Sequence, residues 1–312
     1  MKLNNTHPYL EYLGIEKDYE CSLIPCELCG SNDFLMIREK ISFGSDSGIG
    51  YMPVKACRVC GYLMQNPRFE IDFYKYYYGE YYRMVTNSVT RPSEDFIENQ
   101  ISRGRALKLY LDKFISEPGT MIDVGCSVGA MMIPFRDMGW SIFGVDPDHR
   151  FVDYGKNELK LPVEVADAEN MHLEDNKYDL IVIMGSLEHV FDPNKVLKLC
   201  RKAAKDDAIL VLEGRFNPIG HSTSYLNHNH HRYLREETIG LLMAKHGFEP
   251  FNTTNEQICG KDMGRNGNGY CLGKACAIPS IEDFTERVKK EGKGKAEEVL
   301  EKLNDWDRTL NI

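Results

Sequence analysis

The stretch M-I-D-V-G-C-S-V-G-A, residues 121–130, decides the fold. Its apolar start predicts a buried strand, and two glycines in the next five residues predict a tight turn that leads into a helix. The G-x3-G spacing differs from the G-x-G-x2-G that binds dinucleotides, and no Lys-Ser/Thr pair follows, as a phosphate-binding loop requires. The ligand expected at this turn therefore need not carry a pyrophosphate.

Short apolar strands alternate with helix-length amphipathic segments on both sides of this stretch. The pattern predicts strands at 141–145, 163–165, 178–184, 208–213, 248–251 and 270–278, with helices at 129–138, 148–160, 193–204 and 235–246 between them. Another helix is expected at 94–115. Such alternation is typical of an α/β fold, a doubly wound, mainly parallel sheet with helices on both faces.

Acidic residues follow three of the predicted strands at the edge where such sheets bind ligands. Asp123 closes the first strand, Asp146 the second, and Asp167-Ala168-Glu169 follow the third. Carboxylates there can accept hydrogen bonds from ribose hydroxyls, an adenine amine and an ammonium group, so they suit a nucleoside with a cationic tail. As alternatives, Asp123 is a turn residue and Asp146 a helix cap.

The glycine turn, the strand-end Asp146, the D-A-E triplet and Y-D-L-I-V-I-M-G-S-L-E-H-V at 178–190 together resemble the class I S-adenosylmethionine-dependent methyltransferases over about residues 105–278. The resemblance implies a seven-stranded Rossmann-like core. It also implies that the ribose lies on Asp146, the adenine near Asp167, and the methyl group faces 185–189. The full set of implied cofactor-binding residues is Asp123, Gly125, Cys126, Ser127, Gly129, Asp146, Pro147, Asp167, Ala168, Gly185 and Ser186.

Two C-x2-C pairs, Cys26/Cys29 and Cys57/Cys60, are each followed by a glycine. Four thiolates in two such turns can close a tetrahedral structural Zn²⁺ site. The 27 residues between the pairs exceed the common spacing, so an extra hairpin is expected there. The alternative is four buried free thiols. Because a four-cysteine module before this core resembles a subgroup that methylates sugars and other small metabolites, the resemblance favours a small polar acceptor.

Histidines are the predicted source of a catalytic base, because their pKa lies near neutrality. His189 lies in the L-E-H-V segment beside Glu188, and His228, His230 and His231 lie in a segment that covers the acceptor pocket in similar enzymes. These five residues are the catalytic candidates. The alternative is a hydrogen-bonded loop that orders the entry to the helix at 235.

Tyrosines crowd the run F-Y-K-Y-Y-Y-G-E-Y-Y at 73–82. Aromatic rings with polar tips bind cations and sugar faces, so Tyr77, Tyr78 and Tyr81 are candidate substrate residues. The alternative is packing between domains.

The predicted organisation is a zinc-binding module (1–70), an aromatic helical connector that caps the cleft (71–115), the S-adenosylmethionine-binding domain (116–278) and a helical C-terminal tail (279–312). Lys and Arg total 38 against 47 Asp and Glu, a net charge of −9, which disfavours nucleic-acid partners. No membrane span or secretory signal is visible, so a cytoplasmic protein is expected.

The sequence thus predicts a methyltransferase that acts on a small-molecule substrate, most plausibly a sugar, nucleotide-sugar or natural-product intermediate. Two rivals remain: an RNA base methyltransferase with a zinc module, and a zinc-containing binding scaffold without turnover. The acceptor atom and the oligomeric state are left open.

Overall fold

The computed structural model describes residues 2–3, 10–11, 14–39, 41–43, 48–50, 52–78, 91–216, 226, 230–256, 258 and 267–309. Its strands are β1 (Lys2–Leu3), β2 (Tyr19–Ser22), β3 (Phe34–Arg38), β4 (Ile41–Phe43), β5 (Gly48–Gly50), β6 (Val54–Cys57), β7 (Leu63–Gln65), β8 (Arg68–Phe69), β9 (Thr120–Val124), β10 (Ser141–Asp146), β11 (Val163–Val165), β12 (Tyr178–Ile183), β13 (Ala204–Arg215), β14 (Arg232–Tyr233), β15 (Phe248–Thr254) and β16 (Asn268–Ala275). Its α-helices are α1 (Ile71–Tyr76), α2 (Glu94–Leu111), α3 (Ile133–Asp137), α4 (His149–Asn157), α5 (Pro193–Ala203), α6 (Glu236–Lys245), α7 (Ile281–Gly292) and α8 (Lys295–Thr309).

A seven-stranded sheet in the order β11-β10-β9-β12-β13-β16-β15 forms the centre of the molecule. Strands β11, β10, β9, β12 and β13 pair in parallel, and β16 runs antiparallel to both of its neighbours. The predicted α/β, mainly parallel fold is confirmed. Strand β9 is central, with β10 on one side of it and β12 on the other. The strand order therefore changes direction at β9, and such topological switch points are where these sheets bind ligands.

The central strands consist largely of apolar residues because helices cover both faces of the sheet. Five of the six residues of β12 are buried, from Tyr178 to Ile183. The helices that follow have local start signals. Asp192 caps α5 by accepting hydrogen bonds from the amides of Asn194 and Lys195, and Pro193 occupies the first turn.

The predicted helix at 129–138 is divided. A 3₁₀ turn spans Ala130–Met132, and α3 begins only at Ile133. Gly129 has a left-handed φ of 78°, and Pro134 lacks the N–H that an α-helix passing through it would use. The helix predicted to reach residue 115 ends at Leu111.

The cysteine pairs lie in a second, four-stranded sheet of order β14-β7-β6-β3. Between the pairs, β4 and β5 form an antiparallel pair, as the long spacing predicted. Strand β14 comes from far along the chain, after β13, and pairs through Arg232 with Met64. The cysteine module and the segment at 230–235 therefore share one sheet.

The C-terminal helices pack on the cysteine module. Ala296, Val299 and Leu303 on α8 are fully buried and share a core cluster with Val54 and Leu63. A Cβ on Gly292 would lie 2.6 Å from the carbonyl oxygen of Val59, so only glycine permits this approach. Across the described ranges, no helix combines the length and apolar character needed to span a membrane.

Candidate active site and cysteine cluster

The turn after β9 brings backbone close to the sheet edge. Gly125 and Gly129 have φ values of 83° and 78°, and Ser127 between them has 56°. The amides of Gly125 and Cys126 donate to the carbonyl oxygen of Val145, which ties the turn to β10. A Cβ on Gly125 would lie 2.4 Å from that of Ser186, so this position requires glycine.

A cavity of about 870 Å³ opens over this turn, between the sheet edge and helices α1 and α2. It brings together most residues predicted to bind the cofactor, along with two further candidates. These are Asp123, Gly125, Cys126, Ser127, Asp146, Pro147, Asp167, Ala168, Gly185, Ser186, His189 and Tyr78. Gly129 does not line the cavity; a Cβ added there would lie 2.7 Å from Val163 Cγ1.

Two buried carboxyl groups stand at the ends of neighbouring strands. Burial raises the pKa of Asp123 to about 7; the charge of Arg103 opposes that rise and the charge of Asp146 adds to it. Asp146 accepts hydrogen bonds at 2.9 Å from the amides of both Ser127 and Asp148. A carboxylate can accept up to about four hydrogen bonds, and Asp146 also lines the cavity.

Arg103 on α2 is a site residue that the sequence did not reveal. It lines the cavity, is 3% exposed, and its Nη2 lies 3.6 Å from Glu213 Oε2. Within the described ranges its Nε and Nη2 have no hydrogen-bond partner. A buried guanidinium with unused donors suits an anionic ligand group. In the sequence, Arg103 is one arginine within the helix predicted at 94–115, and its position there is only a weak indication of a binding role.

The D-A-E triplet has two roles. All three residues line the cavity, and Glu169 also accepts hydrogen bonds from the amides of Phe191 and Asp192, which fixes the chain after β12. Ser186 donates to the carbonyl oxygen of Val124 at 2.7 Å, which joins the exit of β12 to the end of β9.

His189 is the predicted base that lines the cavity. Its Nδ1 lies 3.0 Å from the hydroxyl oxygen of Tyr78, which also lines the cavity. The ring of His230 packs against it with centroids 4.7 Å apart, and His230 Nε2 lies 3.9 Å from Glu188 Oε2. His189 therefore meets the cavity, and His230 and Glu188 lie behind it.

Glu188 is buried away from the cavity lining. Burial raises its pKa to about 7, although Arg215 and the amide of Leu234 oppose the rise. Its Oε1 accepts from Leu234 N at 3.1 Å, and its backbone oxygen accepts from His231 N. These contacts position the segment at 230–234 rather than meeting a ligand.

The other candidates fall outside the lining or outside the described residues. His231 is fully buried against Tyr74, with ring centroids 3.8 Å apart, and burial holds its pKa well below the usual range. Tyr77 packs on Phe73, whereas Tyr74, not predicted, lines the cavity. His228 and Tyr81 lie outside the described residues.

The four predicted cysteines form a compact cluster. All four Sγ atoms lie within 4.8 Å of one another, with Cys26–Cys60 and Cys29–Cys57 each at 3.5 Å. Hydrogen bonds from Cys26 and the other two thiols hold the pKa of Cys57 far below its usual range. Four sulfurs 2.3 Å from a tetrahedral ion lie about 3.8 Å apart, so the cluster fits a closed four-thiolate metal site.

A family model described as a methyltransferase domain matches residues 96–252, which is half of the 312-residue chain. A stretch of 102 residues is 29% identical to the ubiquinone biosynthesis O-methyltransferase of Coxiella burnetii, covering 31% of this chain and 44% of that protein. The protein of the same name from Pelagibacter ubique is 30% identical over 97 residues, covering 30% and 40%. The chain thus spans less than half the length of these curated relatives.

Among solved structures, a SAM-dependent methyltransferase from Aquifex aeolicus is 18% identical, and the match covers 59% of this chain and all of that one with a TM-score of 0.44. A Pyrococcus horikoshii protein is 19% identical, covering 63% and 98%, with a TM-score of 0.47.

Proposed function

This chain belongs to the methyltransferase domain family, and we propose that it binds S-adenosylmethionine and transfers the methyl group to a small polar metabolite. One observation carries the proposal. The glycine turn after β9 and the acids that end β9 and β10 and follow β11 line a single cavity of about 870 Å³. That volume lies within the range of small-molecule sites.

Each part of the cofactor has a matching group in the cavity. Asp146 would accept hydrogen bonds from the ribose hydroxyls, and the Asp167–Ala168 backbone and carboxylate would meet the adenine. Arg103 would meet the methionyl carboxylate through its unused donors, with Asp123 beside the ammonium group. The sulfonium would then face the segment from Gly185 to His189. The cofactor supplies the electrophilic methyl group.

The acceptor would bind under the aromatic wall of the cavity. Tyr74, Tyr78 and Phe191 line this side, and rings with polar tips contact sugars and other small cyclic molecules well. The curated relatives are named for O-methylation in ubiquinone biosynthesis, which supports a small-molecule acceptor. A sugar or related intermediate, methylated on carbon or oxygen, is our first candidate.

His189 would accept the proton that a hydroxyl or C–H acceptor releases. It lines the cavity, and its Nδ1 lies within hydrogen-bond distance of the Tyr78 hydroxyl, which orients the imidazole ring. His230 packs against the ring of His189 and, with Glu188 behind it, would hold the imidazole in place. The protein otherwise aligns the acceptor for in-line displacement.

We propose that Cys26, Cys29, Cys57 and Cys60 hold a structural Zn²⁺. A site closed by four thiolates has no open coordination position, so the metal would stabilise the module without entering the reaction.

Calorimetric titration with S-adenosylmethionine and S-adenosylhomocysteine tests the proposal. We expect both to bind with a stoichiometry of one, and NAD to release no binding heat. Absence of heat from either sulfur nucleoside at millimolar concentration would support the scaffold alternative, and binding of NAD instead would overturn the assignment of the cavity. Salt-sensitive RNA binding in a filter assay would favour the RNA rival, which the net charge of −9 disfavours.

A further inference from the structure

Glu27 lies between two cysteines of the cluster and is buried with its charge fully compensated. Its carboxylate accepts hydrogen bonds from Arg232 Nε at 2.7 Å and Arg232 Nη2 at 2.8 Å. Arg68 Nη1 donates to it at 2.5 Å, and the Tyr62 hydroxyl lies at 3.3 Å. The pair with Arg232 is bidentate, which fixes the plane of the guanidinium as well as its position.

Arg232 uses its remaining donors on the segment between β12 and α5. Its Nη1 donates to the carbonyl oxygens of Leu187 at 2.7 Å and Val190 at 2.6 Å, and its Nη2 to that of Phe191 at 3.2 Å. A guanidinium has five N–H groups, and all five of these have acceptors. Arg232 is fully buried.

The segment held in this way carries Glu188 and His189. Residues 184–192 form neither helix nor strand, so their carbonyl groups have no regular ladder of backbone hydrogen bonds, and Arg232 supplies donors to three of them. Two further bonds reach the same cysteine turn: Asn194 Nδ2 and Lys245 Nζ both donate to the backbone oxygen of Glu27. The cysteine module thus contacts the start of α5, the end of α6 and the segment before α5.

We propose that Glu27 and Arg232 are positioning residues that make the cysteine module part of the active site, because they set the orientation of His189 in the cavity. A buried ion pair is weak evidence for a stabilising role, whereas a planar donor that spans three carbonyl groups of one turn is well suited to fix geometry. The role of His189 as proton acceptor rests on the proposed function, but its placement does not.

The experiment follows the imidazole of His189 by NMR in full-length, zinc-loaded protein labelled with ¹⁵N-histidine, with the signals assigned through a His189→Gln variant. The test variants are Glu27→Gln, which removes the charge, and Arg232→Lys, which cannot span the carbonyl groups. Arg235→Lys is the matched control, because Arg235 is equally buried and pairs with Glu237. Zinc content, far-ultraviolet circular dichroism and S-adenosylhomocysteine affinity are measured on each protein.

We expect both test variants to retain zinc, fold and S-adenosylhomocysteine affinity within about threefold, while the pKa or tautomer of His189 changes. A pKa change of about half a unit or more is expected, with none in Arg235→Lys. Unchanged His189 signals in folded test variants would overturn the proposal, as would loss of zinc or fold in both, since the pair would then serve folding alone. Failure of the proposed function would show separately, as absence of S-adenosylhomocysteine binding by the wild-type protein.

Discussion

Asp146 combines two tasks in one side chain. Its oxygens accept hydrogen bonds from the amides of Ser127 and Asp148, and these bonds hold the glycine turn and the start of α4 in place. The same carboxylate lines the cavity. A hydrogen bond to a charged group contributes about 1.5–3 kcal/mol, so this residue should account for much of the affinity for a nucleoside.

We predict that Asp146→Asn lowers the affinity for S-adenosylhomocysteine about 10- to 100-fold, because one acceptor becomes a donor that opposes the ribose hydroxyls. Calorimetry measures the change. Asp137→Asn is the control, since Asp137 is exposed, pairs with Arg136 and lies outside the cavity lining. Equal affinity of Asp146→Asn and wild type would show that the ribose does not bind this carboxylate.

Glu188 should make the protein less stable as the pH rises. Burial raises its pKa in the folded state to about 7 from the usual 4.5, so between these pH values the folded state holds a proton that the unfolded state has lost. The associated stability is present below about pH 4.5 and is lost as the pH rises to about 7. One pKa unit corresponds to roughly 1.4 kcal/mol. The loss of unfolding free energy between low and neutral pH should therefore be about 1–3 kcal/mol smaller in Glu188→Gln than in the wild type.

Denaturant unfolding at pH 5 and pH 8 measures this difference. Glu237→Gln is the control of opposite sign: Arg235 and Lys302 outweigh burial and lower the pKa of Glu237 to about 2, so its contribution disappears only on acidification. An identical pH dependence for wild type and Glu188→Gln would mean that Glu188 is ionised at neutral pH in the folded protein.

At the scale of elements, α8 is a structural part of the cysteine module. Leu303 is fully buried in the cluster that includes Val54 and Leu63, whereas Ile281 on α7 is 85% exposed. We predict that Leu303→Ala lowers the free energy of unfolding by about 2–5 kcal/mol, because it leaves a cavity in that cluster. Ile281→Ala should change it by less than about 0.5 kcal/mol. Equal effects in denaturant unfolding would place α8 away from the module.

Most elements could be predicted because their signals are local. The apolar run of β12 and the Asp192–Pro193 start of α5 lie within a few residues of each other. The divided helix at 130–137 was missed because Gly129 and Pro134 break the backbone hydrogen bonding while the apolar pattern continues.

At the scale of the whole molecule, the cysteine module and the core are joined by contacts that no local pattern encodes. Strand β14 pairs with β7, and Glu27 meets Arg232 at a separation of 205 residues. The sequence shows that Glu27 and Arg232 are charged, and charged residues are ordinarily exposed. Their burial depends on the partner that the fold brings, so no local pattern pairs Glu27 with Arg232.

The candidate site divides in the same way. The turn at 125–129 and the strand-end acids were predicted, because a parallel sheet brings the ends of its strands to one edge. Arg103 and Tyr74 enter the cavity from helices whose docking is a long-range property. For the histidines, the sequence places His230 and His231 side by side and His189 far away, and only packing distinguishes His189, which lines the cavity, from His231, which is buried against Tyr74.

Transfer of a labelled methyl group tests the account most directly. The purified protein is incubated with deuterated-methyl S-adenosylmethionine and, separately, with the protein-free small-molecule fraction of a cell extract and with purified RNA; the Asp146→Asn variant serves as control. Mass spectrometry should find a small molecule carrying the deuterated methyl group only with the active protein. Label in RNA alone, or in neither fraction while the nucleoside binds, would contradict a small-metabolite methyltransferase.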